Sequence, residues 1–140
     1  MTFDPQTRQI YITLERYPAD MFKLQLSGAS ISPNVVSLIP RHAHSVQMKD
    51  FSGLQYVAQN GNLLILSHAS NKLVESSMDG RKMSELDLYQ RSRDGYEPIP
   101  QAEGVTIDDW GTIYIVSEPN LFYVYQPFGT HKKPTSVASR

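Results

Sequence analysis

The sequence predicts an all-β fold, a partial β-propeller of about three four-stranded antiparallel blades. Two observations favour this fold class: an internal repeat and the apolar runs within it. Two β-rich runs joined by a turn recur three times, and a hydroxyl residue ends each repeat, at Thr13, Ser67 and Ser117. These residues recur about every 50 positions, which is the length of one propeller blade.

The apolar runs distinguish a propeller from a two-layer sandwich. The second β-rich run of each repeat is almost continuously apolar, at residues 10–12, 63–66 and 113–116. Alternation of apolar and polar residues would indicate one wet face, whereas a continuous run indicates a strand that is covered on both faces. Stacked blades cover both faces of their middle strands, but a two-layer sandwich leaves one face of each sheet in solvent.

The repeats divide residues 1–127 into one domain of three blade-like units. Each unit begins with two strands that are joined by a turn. The units lie at about 1–49, 50–100 and 101–127. Their third strands are predicted at 21–26, 73–77 and 121–126.

Fourth strands are predicted in two of the units only. The first is at residues 35–39, after a Pro33-Asn34 turn, and the second is at residues 83–88. Residues 90–100 carry Gly and Pro and predict a long loop between the second and third units. Residues 128–140 predict a disordered C-terminal tail.

The composition indicates a globular chain and disfavours several classes of function. The chain has 140 residues, of which 40% are hydrophobic, and a net charge of −1, so we expect no nucleic-acid partner. The absence of cysteine excludes disulfides and thiolate metal ligands. No apolar run approaches the ~20 residues of a membrane-spanning helix, and the polar N-terminus does not resemble a signal peptide. We therefore expect no membrane contact by this segment.

Four acidic residues form the candidate metal site. Glu15 and Glu118 follow the second strand of their units, and Asp50 and Glu103 precede the first strand of theirs. Because the inner strand of a propeller blade borders the axial channel, carboxylates at equivalent strand ends can converge, although these two pairs can also lie on different rims. Converging carboxylates suit Ca²⁺, which takes about six to eight oxygen ligands.

Ser52, Asn120 and His68 are the candidate ligand-binding residues around this acidic group. Ser52 and Asn120 can add oxygen ligands, and His68 follows an inner strand near the expected channel. In a simpler interpretation, Asp50 and Glu103 accept hydrogen bonds from backbone N–H groups where a strand begins. His68 is then a hydrogen-bonded structural residue.

The sequence assigns no catalytic residue. Ser67 and His68 are neighbours on one strand, so their side chains face opposite ways and cannot readily pair in a catalytic triad. No nucleophile elbow and no phosphate-binding glycine loop occur in the sequence. The acidic segment at residues 108–111 lacks the spacing of an EF-hand and predicts a hairpin turn instead.

Four segments resemble one known family. They are residues 50–54, 64–70, 101–105 and 114–123, of which the last is the most specific. These segments resemble the SdiA-regulated family, also called YjiK-like, which includes the CarP-type calcium-regulated β-propeller proteins. The resemblance covers roughly residues 1–127 and is best from residue 50 onward.

The resemblance implies a complete propeller that is about twice as long as this chain, with an N-terminal signal or membrane anchor. We therefore expect the chain to correspond to the C-terminal half of such a protein. The implied function is a non-enzymatic scaffold of the cell envelope, periplasmic or anchored to the plasma membrane. It would bind or respond to calcium and have an unidentified protein or small-molecule partner.

The alternative function is a metal-dependent hydrolase, similar to a lactonase or an esterase. Other propellers place a metal and carboxylates at the axial channel, and here the acidic residues would serve that role. A hydrolase requires an open metal position and a base within reach, whereas a scaffold requires only a surface at the rim.

A partial propeller leaves sheet faces uncovered. Closing the ring hides the sheet edges of a complete propeller, but here we expect two open apolar faces and one open strand edge. We therefore predict that the isolated chain is weakly stable, self-associates, or both. Four aromatic residues are expected to pack between blades: Tyr114, Phe122, Tyr123 and Tyr125.

Overall fold

The computed structural model describes residues 1–15, 20–27, 30–37 and 48–127, which contain strands and no helix. The first blade consists of β1 (Thr2–Asp4), β2 (Gln9–Leu14), β3 (Asp20–Ser27) and β4 (Ser30–Ser37). The second blade consists of β5 (Gly53–Val57), β6 (Asn62–Ser67), β7 (Lys72–Ser76) and β8 (Lys82–Asp87). A separate hairpin consists of β9 (Tyr89–Ser92) and β10 (Gly95–Pro98). The third blade consists of β11 (Ala102–Ile107), β12 (Ile113–Ser117) and β13 (Leu121–Tyr125).

Each blade is an antiparallel sheet in which the strands follow one another in chain order. This architecture confirms the predicted all-β fold built from blade-like units. The predicted tail at residues 128–140 lies outside the described residues. Within the described ranges, no helix is long and apolar enough to cross a membrane.

The first strands of the three blades lie side by side. Strand β5 contacts β1 on one side and β11 on the other. The backbone N–H of Tyr56 donates a hydrogen bond to Thr2 Oγ1 at 2.9 Å, and Ser52 Oγ donates one to the Ala102 carbonyl oxygen at 2.7 Å. Both bonds run between blades, so they fix the inner strands in the neighbouring positions that a propeller requires.

Two hydrophobic clusters hold the blades together, and β6 contributes to both. Leu63 and Ile65 belong to the cluster with the first blade, whereas Leu64 and Leu66 belong to the cluster with the third. Ile65 and Leu66 are both 0% exposed. The continuous apolar run is therefore covered on both faces, as the sequence predicts. Each such side chain contributes about 1.5–3 kcal/mol of hydrophobic stabilisation relative to an exposed one.

The aromatic residues of the third blade divide between its two faces. Tyr123 and Tyr125 pack against the cluster with the second blade, as expected. Phe122 is 62% exposed, so the expectation that it packs between blades is wrong for the described residues. Side chains alternate along a strand, and Phe122 points to the opposite face of β13, where its ring stacks on Tyr114 at 6.0 Å.

The predicted long loop at residues 90–100 is wrong, because most of this segment forms the hairpin β9–β10. Ser92 pairs with Gly95. Gly95 has a positive φ of 133°, a conformation that glycine adopts readily because it has no side chain. The hairpin is anchored at its base, where the N–H of Ile99 donates to the Leu88 carbonyl oxygen at 3.1 Å. Both anchor residues are buried, whereas β10 is exposed throughout.

The predicted Pro33-Asn34 turn is also wrong, because both residues lie inside β4. Lys23 pairs with Val36 and Gln25 pairs with Ser32, so the register shifts between these two pairs. The shift is a β-bulge that takes up the additional residues of β4. A proline is tolerated there because β4 is the edge strand of the first blade.

Replacing Leu66 by Ala should lower the free energy of unfolding by about 2–5 kcal/mol, because this side chain is fully buried between two blades. Met83→Ala is the control, since Met83 is 49% exposed on β8 of the same blade. It should change stability by less than about 0.5 kcal/mol. Urea unfolding followed by circular dichroism measures both variants. Equal costs for the two would contradict the burial of β6 between blades.

Candidate functional site

One edge of the three blades carries all four predicted carboxylates. In an antiparallel blade, the beginning of the first strand and the end of the second lie at the same edge. Asp50 precedes β5, Glu103 is near the beginning of β11, Glu118 follows β12, and Glu15 follows β2. The inner strands lie side by side, which brings these strand ends to a common edge. We call Glu15, Asp50, Glu103 and Glu118 the carboxylate rim.

Two buried serines fix the segments that carry the rim. Ser67 Oγ donates to Asp50 Oδ1, and Ser117 Oγ donates to the carbonyl oxygen of Pro100. In the second and third blades the hydroxyl at the end of the second strand therefore holds the chain just before the first strand. This shared contact explains why a hydroxyl residue recurs at the end of these two repeats.

Asp50 acts mainly as a structural hydrogen-bond acceptor. Besides the contact with Ser67, its carboxylate accepts a hydrogen bond from the backbone N–H of Ala69, at 3.1 Å to Oδ1 and 3.2 Å to Oδ2. These bonds follow the simpler of the two interpretations that the sequence allows for Asp50. The carboxylate still lies close enough to Glu103 to affect its ionisation.

Ser52 connects the second and third blades. Its hydroxyl donates to the Ala102 carbonyl oxygen at 2.7 Å and accepts a hydrogen bond from the backbone N–H of His68 at 3.2 Å. The hydroxyl hydrogen is therefore already engaged within the protein, and a ligand could use only a remaining lone pair of the oxygen.

Glu103 is the electrostatic centre of the rim. Partial burial, then repulsion from Glu15 and Glu118 and a smaller repulsion from Asp50, raise the pKa of Glu103, while His68 opposes the rise. The side chain is exposed, so solvent screens part of these effects. Carboxylates from all three blades thus share one electrostatic field.

His68 lies close enough to Glu103 to affect its pKa, and one of its ring nitrogen atoms has no hydrogen-bond partner among the described residues. This atom, Nδ1, is buried, although the residue as a whole is half-buried. The interpretation of His68 as a hydrogen-bonded structural residue therefore finds no partner for this atom among the described residues. Depending on its protonation state, Nδ1 can donate or accept one hydrogen bond.

Asn120 lies in the exposed turn between β12 and β13. The preceding Glu118–Pro119 peptide bond is cis, and the backbone N–H of Glu118 donates to the Gln101 carbonyl oxygen at 3.1 Å. No contact within the described ranges joins the Asn120 side chain to a member of the carboxylate rim.

The rim is not a preformed metal-binding site. Among the residues with described positions, no group of three or more His, Asp or Glu side chains is placed to hold a metal ion. The carboxylates are near enough to raise the pKa of Glu103 but do not surround a common point. Coordination of a cation would require new rotamers of the exposed glutamates.

The model of the SdiA-regulated family matches residues 1–126 of this chain. The chain belongs to the SdiA-regulated family. The matched range includes all three blades and every member of the carboxylate rim. The family assignment therefore applies to the propeller-like sheets and to the edge on which the candidate residues lie.

This SdiA-regulated protein also has a buried carboxylate at the opposite edge, Asp4, which was not predicted from the sequence. Asp4 is 2% exposed and accepts hydrogen bonds from the Gln6 N–H at 2.9 Å and from Thr7 Oγ1. Burial alone would raise the pKa of Asp4, but the hydrogen bonds from Thr7, Gln6 and Tyr56 outweigh it and lower that pKa. The sequence signal for this role was the Asp4-Pro5 pair in a turn, because an aspartate there commonly accepts hydrogen bonds from backbone N–H groups of the same turn.

Asp108 repeats this arrangement in the third blade. It accepts hydrogen bonds from the N–H groups of Trp110 at 2.9 Å and Thr112 at 2.8 Å, and from the Tyr114 hydroxyl at 2.9 Å. These bonds confirm the predicted hairpin turn at residues 108–111. Both turn aspartates serve the structure of the blade, and neither belongs to the rim.

Asp4→Asn should lower the free energy of unfolding by about 1–3 kcal/mol at neutral pH, because buried hydrogen bonds to the carboxylate are lost or weakened. The lowered pKa of Asp4 means that the carboxylate stabilises the folded state above about pH 4 and that this contribution is lost as the pH falls further. The difference between wild type and variant should therefore shrink in acid.

Urea unfolding at a series of pH values measures this dependence. Asp94→Asn is the matched control, since Asp94 is exposed in the loop of the β9–β10 hairpin. It should change stability by less than about 0.5 kcal/mol at every pH. A cost for Asp4→Asn that is independent of pH would contradict the role assigned to the carboxylate.

Proposed function

We propose that this SdiA-regulated protein is a non-enzymatic β-propeller scaffold that binds a cation at the carboxylate rim, with Ca²⁺ as the first candidate. One observation supports the proposal: Glu15 of the first blade lies at the same edge as Glu103 and Glu118 of the third blade. Burial and then repulsion from Glu15 and Glu118 raise the pKa of Glu103, and a bound cation would relieve the repulsion.

The chemistry of the rim favours a hard cation. All of the rim side chains offer oxygen atoms, and Ca²⁺ tolerates irregular geometry with about six to eight oxygen ligands, some of them water. Because the glutamates are exposed and not preformed around one point, binding has to order their side chains. We therefore propose a weak site, with a dissociation constant of about 10⁻⁴–10⁻³ M.

The scaffold proposal is supported by how the hydroxyl groups near the rim are used. Ser67 and Ser117 donate to protein oxygen atoms, and Ser52 connects two blades. Ser52 and Ser117 donate to backbone carbonyl oxygens. The Asp50 carboxylate that accepts from Ser67 also accepts from the backbone N–H of Ala69, so these contacts favour a structural role for all three hydroxyls. A location in the cell envelope and a protein or small-molecule partner are further proposals, which rest on the family resemblance.

Calcium should raise the melting temperature, since an ion that binds the folded state stabilises it. At ten times the dissociation constant, the gain is about 1.4 kcal/mol, or a shift of about 3–6 °C for a chain of this size. Differential scanning fluorimetry with Ca²⁺, with Mg²⁺ and with a chelator measures the shift. Equal midpoints in all three conditions would contradict cation binding by this chain.

The variant Glu103→Gln should distinguish the effect of carboxylate repulsion on stability from the effect of calcium binding. Without calcium the variant should melt slightly higher than wild type at neutral pH. The pKa of Glu103 is raised by burial of its charge and by repulsion from Glu15 and Glu118, and the neutral amide removes both costs. With calcium the variant should gain little or nothing. Glu97→Gln is the control, because Glu97 is exposed on the β9–β10 hairpin, and it should keep the full calcium response.

The same pair of variants tests the hydrolase hypothesis. If the rim holds a catalytic metal, Glu103→Gln should abolish turnover of lactone and ester substrates, while Glu97→Gln should not. The scaffold proposal predicts no turnover by wild type above the rate of either variant. Metal-dependent turnover by wild type that is lost in Glu103→Gln would overturn it.

A further inference from the structure

The β9–β10 hairpin stands apart from the blades, at the junction between the second and the third. Its base is fixed by Leu88 and Ile99, which are 0% and 2% exposed in the hydrophobic cluster between these two blades. Beyond the base, neither β9 nor β10 lies beside any other strand of the described chain. The second and third blades already pack against each other, so a blade added at either end of the stack would not cover the hairpin.

The inner face of the hairpin rests against the third blade. Side chains alternate along a strand and paired residues share a face, so Gln90, Ser92 and Glu97 lie on the same face. Gln90 accepts a hydrogen bond from the Tyr123 hydroxyl at 2.8 Å and donates one to the Glu97 carboxylate at 3.0 Å. These contacts fix which face of the hairpin is turned toward the blades.

The outer face of the hairpin consists of Tyr89, Arg91, Tyr96 and Pro98. Tyr89 is 46% and Tyr96 is 78% exposed, and the other two residues are exposed as well. Within the described ranges, neither tyrosine has a ring contact or a side-chain hydrogen bond, and Arg91 forms no ion pair. No described residue therefore occupies the functional groups of this face.

An exposed strand elsewhere in the chain is built differently. Strand β8 is the outer edge of the second blade, and its Glu85 forms ion pairs with Lys72 at 2.9 Å and with Lys82 at 2.7 Å. Charged side chains of this kind keep an edge strand in solvent. The outer face of the hairpin carries tyrosine and arginine instead, which are enriched at protein–protein interfaces where lysine and glutamate are depleted. This composition indicates a surface that a partner protein covers.

The charge of the outer face indicates the chemistry of that partner. Arg91 is the one charged residue of the face, because the carboxylate of Glu97 lies on the inner face and is engaged with Gln90. In the loop at the tip of the hairpin, the charges of Arg93 and Asp94 offset each other. The outer face is therefore positive and complements a negatively charged group.

We propose that the outer face of the β9–β10 hairpin binds an extended acidic segment of a partner protein. Tyr96 is the cross-strand partner of Arg91, and Tyr89 lies two positions before Arg91 on the same face, so a ring lies on either side of the guanidinium. A carboxylate of the segment pairs with the guanidinium in the bidentate geometry that arginine favours. Neighbouring apolar side chains of the segment pack on the two tyrosine rings, which lose little conformational entropy when they are buried.

The single arginine distinguishes this partner from other anionic surfaces. Anionic membranes attract clusters of about four to eight basic residues, and nucleic-acid binding depends on several phosphate contacts, whereas the outer face offers Arg91 alone. An inorganic anion would use the guanidinium but leave both tyrosine rings in solvent. The small area of the face places the interaction in the weak, transient class.

Fluorescence anisotropy tests the proposal with a short labelled peptide of alternating Glu and Val, titrated with the whole chain in the presence of a chelator. Wild type should bind the peptide. Arg91→Glu should weaken binding at least about tenfold, because the ion pair becomes a repulsion. Tyr96→Ala should weaken it at least about threefold, because one ring is lost. Arg81→Glu is the matched control, since Arg81 is exposed just before β8, and it should bind as wild type does.

NMR spectra of the isotope-labelled chain locate the contact. The acidic peptide should shift the amide signals of β9 and β10, and it should do so equally in Glu103→Gln, because the hairpin does not depend on the carboxylate rim. A failure of cation binding at the rim would therefore leave this result unchanged. Absence of binding at millimolar peptide, equal weakening by Arg91→Glu and Arg81→Glu, or shifts that avoid the hairpin would each overturn the proposal.

Vesicles that contain phosphatidylglycerol test a membrane surface as the other occupant. Wild type should stay in the supernatant when the vesicles are sedimented, because one arginine is too few for stable attachment. Sedimentation of wild type with the vesicles that is lost in Arg91→Glu, without binding of the acidic peptide, would assign the hairpin to a lipid surface and overturn the proposal. Circular dichroism verifies that each variant is folded.

Discussion

The stacking of blade on blade is the interaction on which the rest of this structure depends. Strand β6 is apolar on both faces, and a sheet built around it can be stable only if another sheet covers each face. The first and third blades supply this cover through two separate hydrophobic clusters. No single blade could bury enough apolar surface by itself, so the blades are stable as a stack.

The same stacking creates the candidate site. Ser52 and Tyr56 fix the inner strand of the second blade against its neighbours through hydrogen bonds to Ala102 and Thr2. Strand ends of three blades are thereby brought to one edge, and the carboxylates at those ends repel one another. The repulsion among the rim carboxylates thus arises because the packing of the blades brings distant residues together. No short sequence motif therefore identifies the site.

The sequence could predict what is local or periodic. The repeat, the doubly buried strand β6 and the rim residues at strand ends all follow from such patterns. The hairpin β9–β10 was missed because its strands are short and exposed and carry no periodic signal. The structural role of Asp50 depends on Ser67 and Ala69, and the buried turn of Asp4 depends on Tyr56. Such distant partners are invisible in a linear pattern.

Native-state hydrogen exchange of the backbone amides tests the dependence on stacking most directly, when it is measured on a dilute solution in which the chain is monomeric. Strand β6 is covered on both faces, whereas β2 and β12 are each covered on one face only. If stacking stabilises the blades, the amides of β6 should exchange slowest and those of β2 and β12 should exchange faster. Equal protection of the three strands in the monomer, or the slowest exchange in β12, would contradict it.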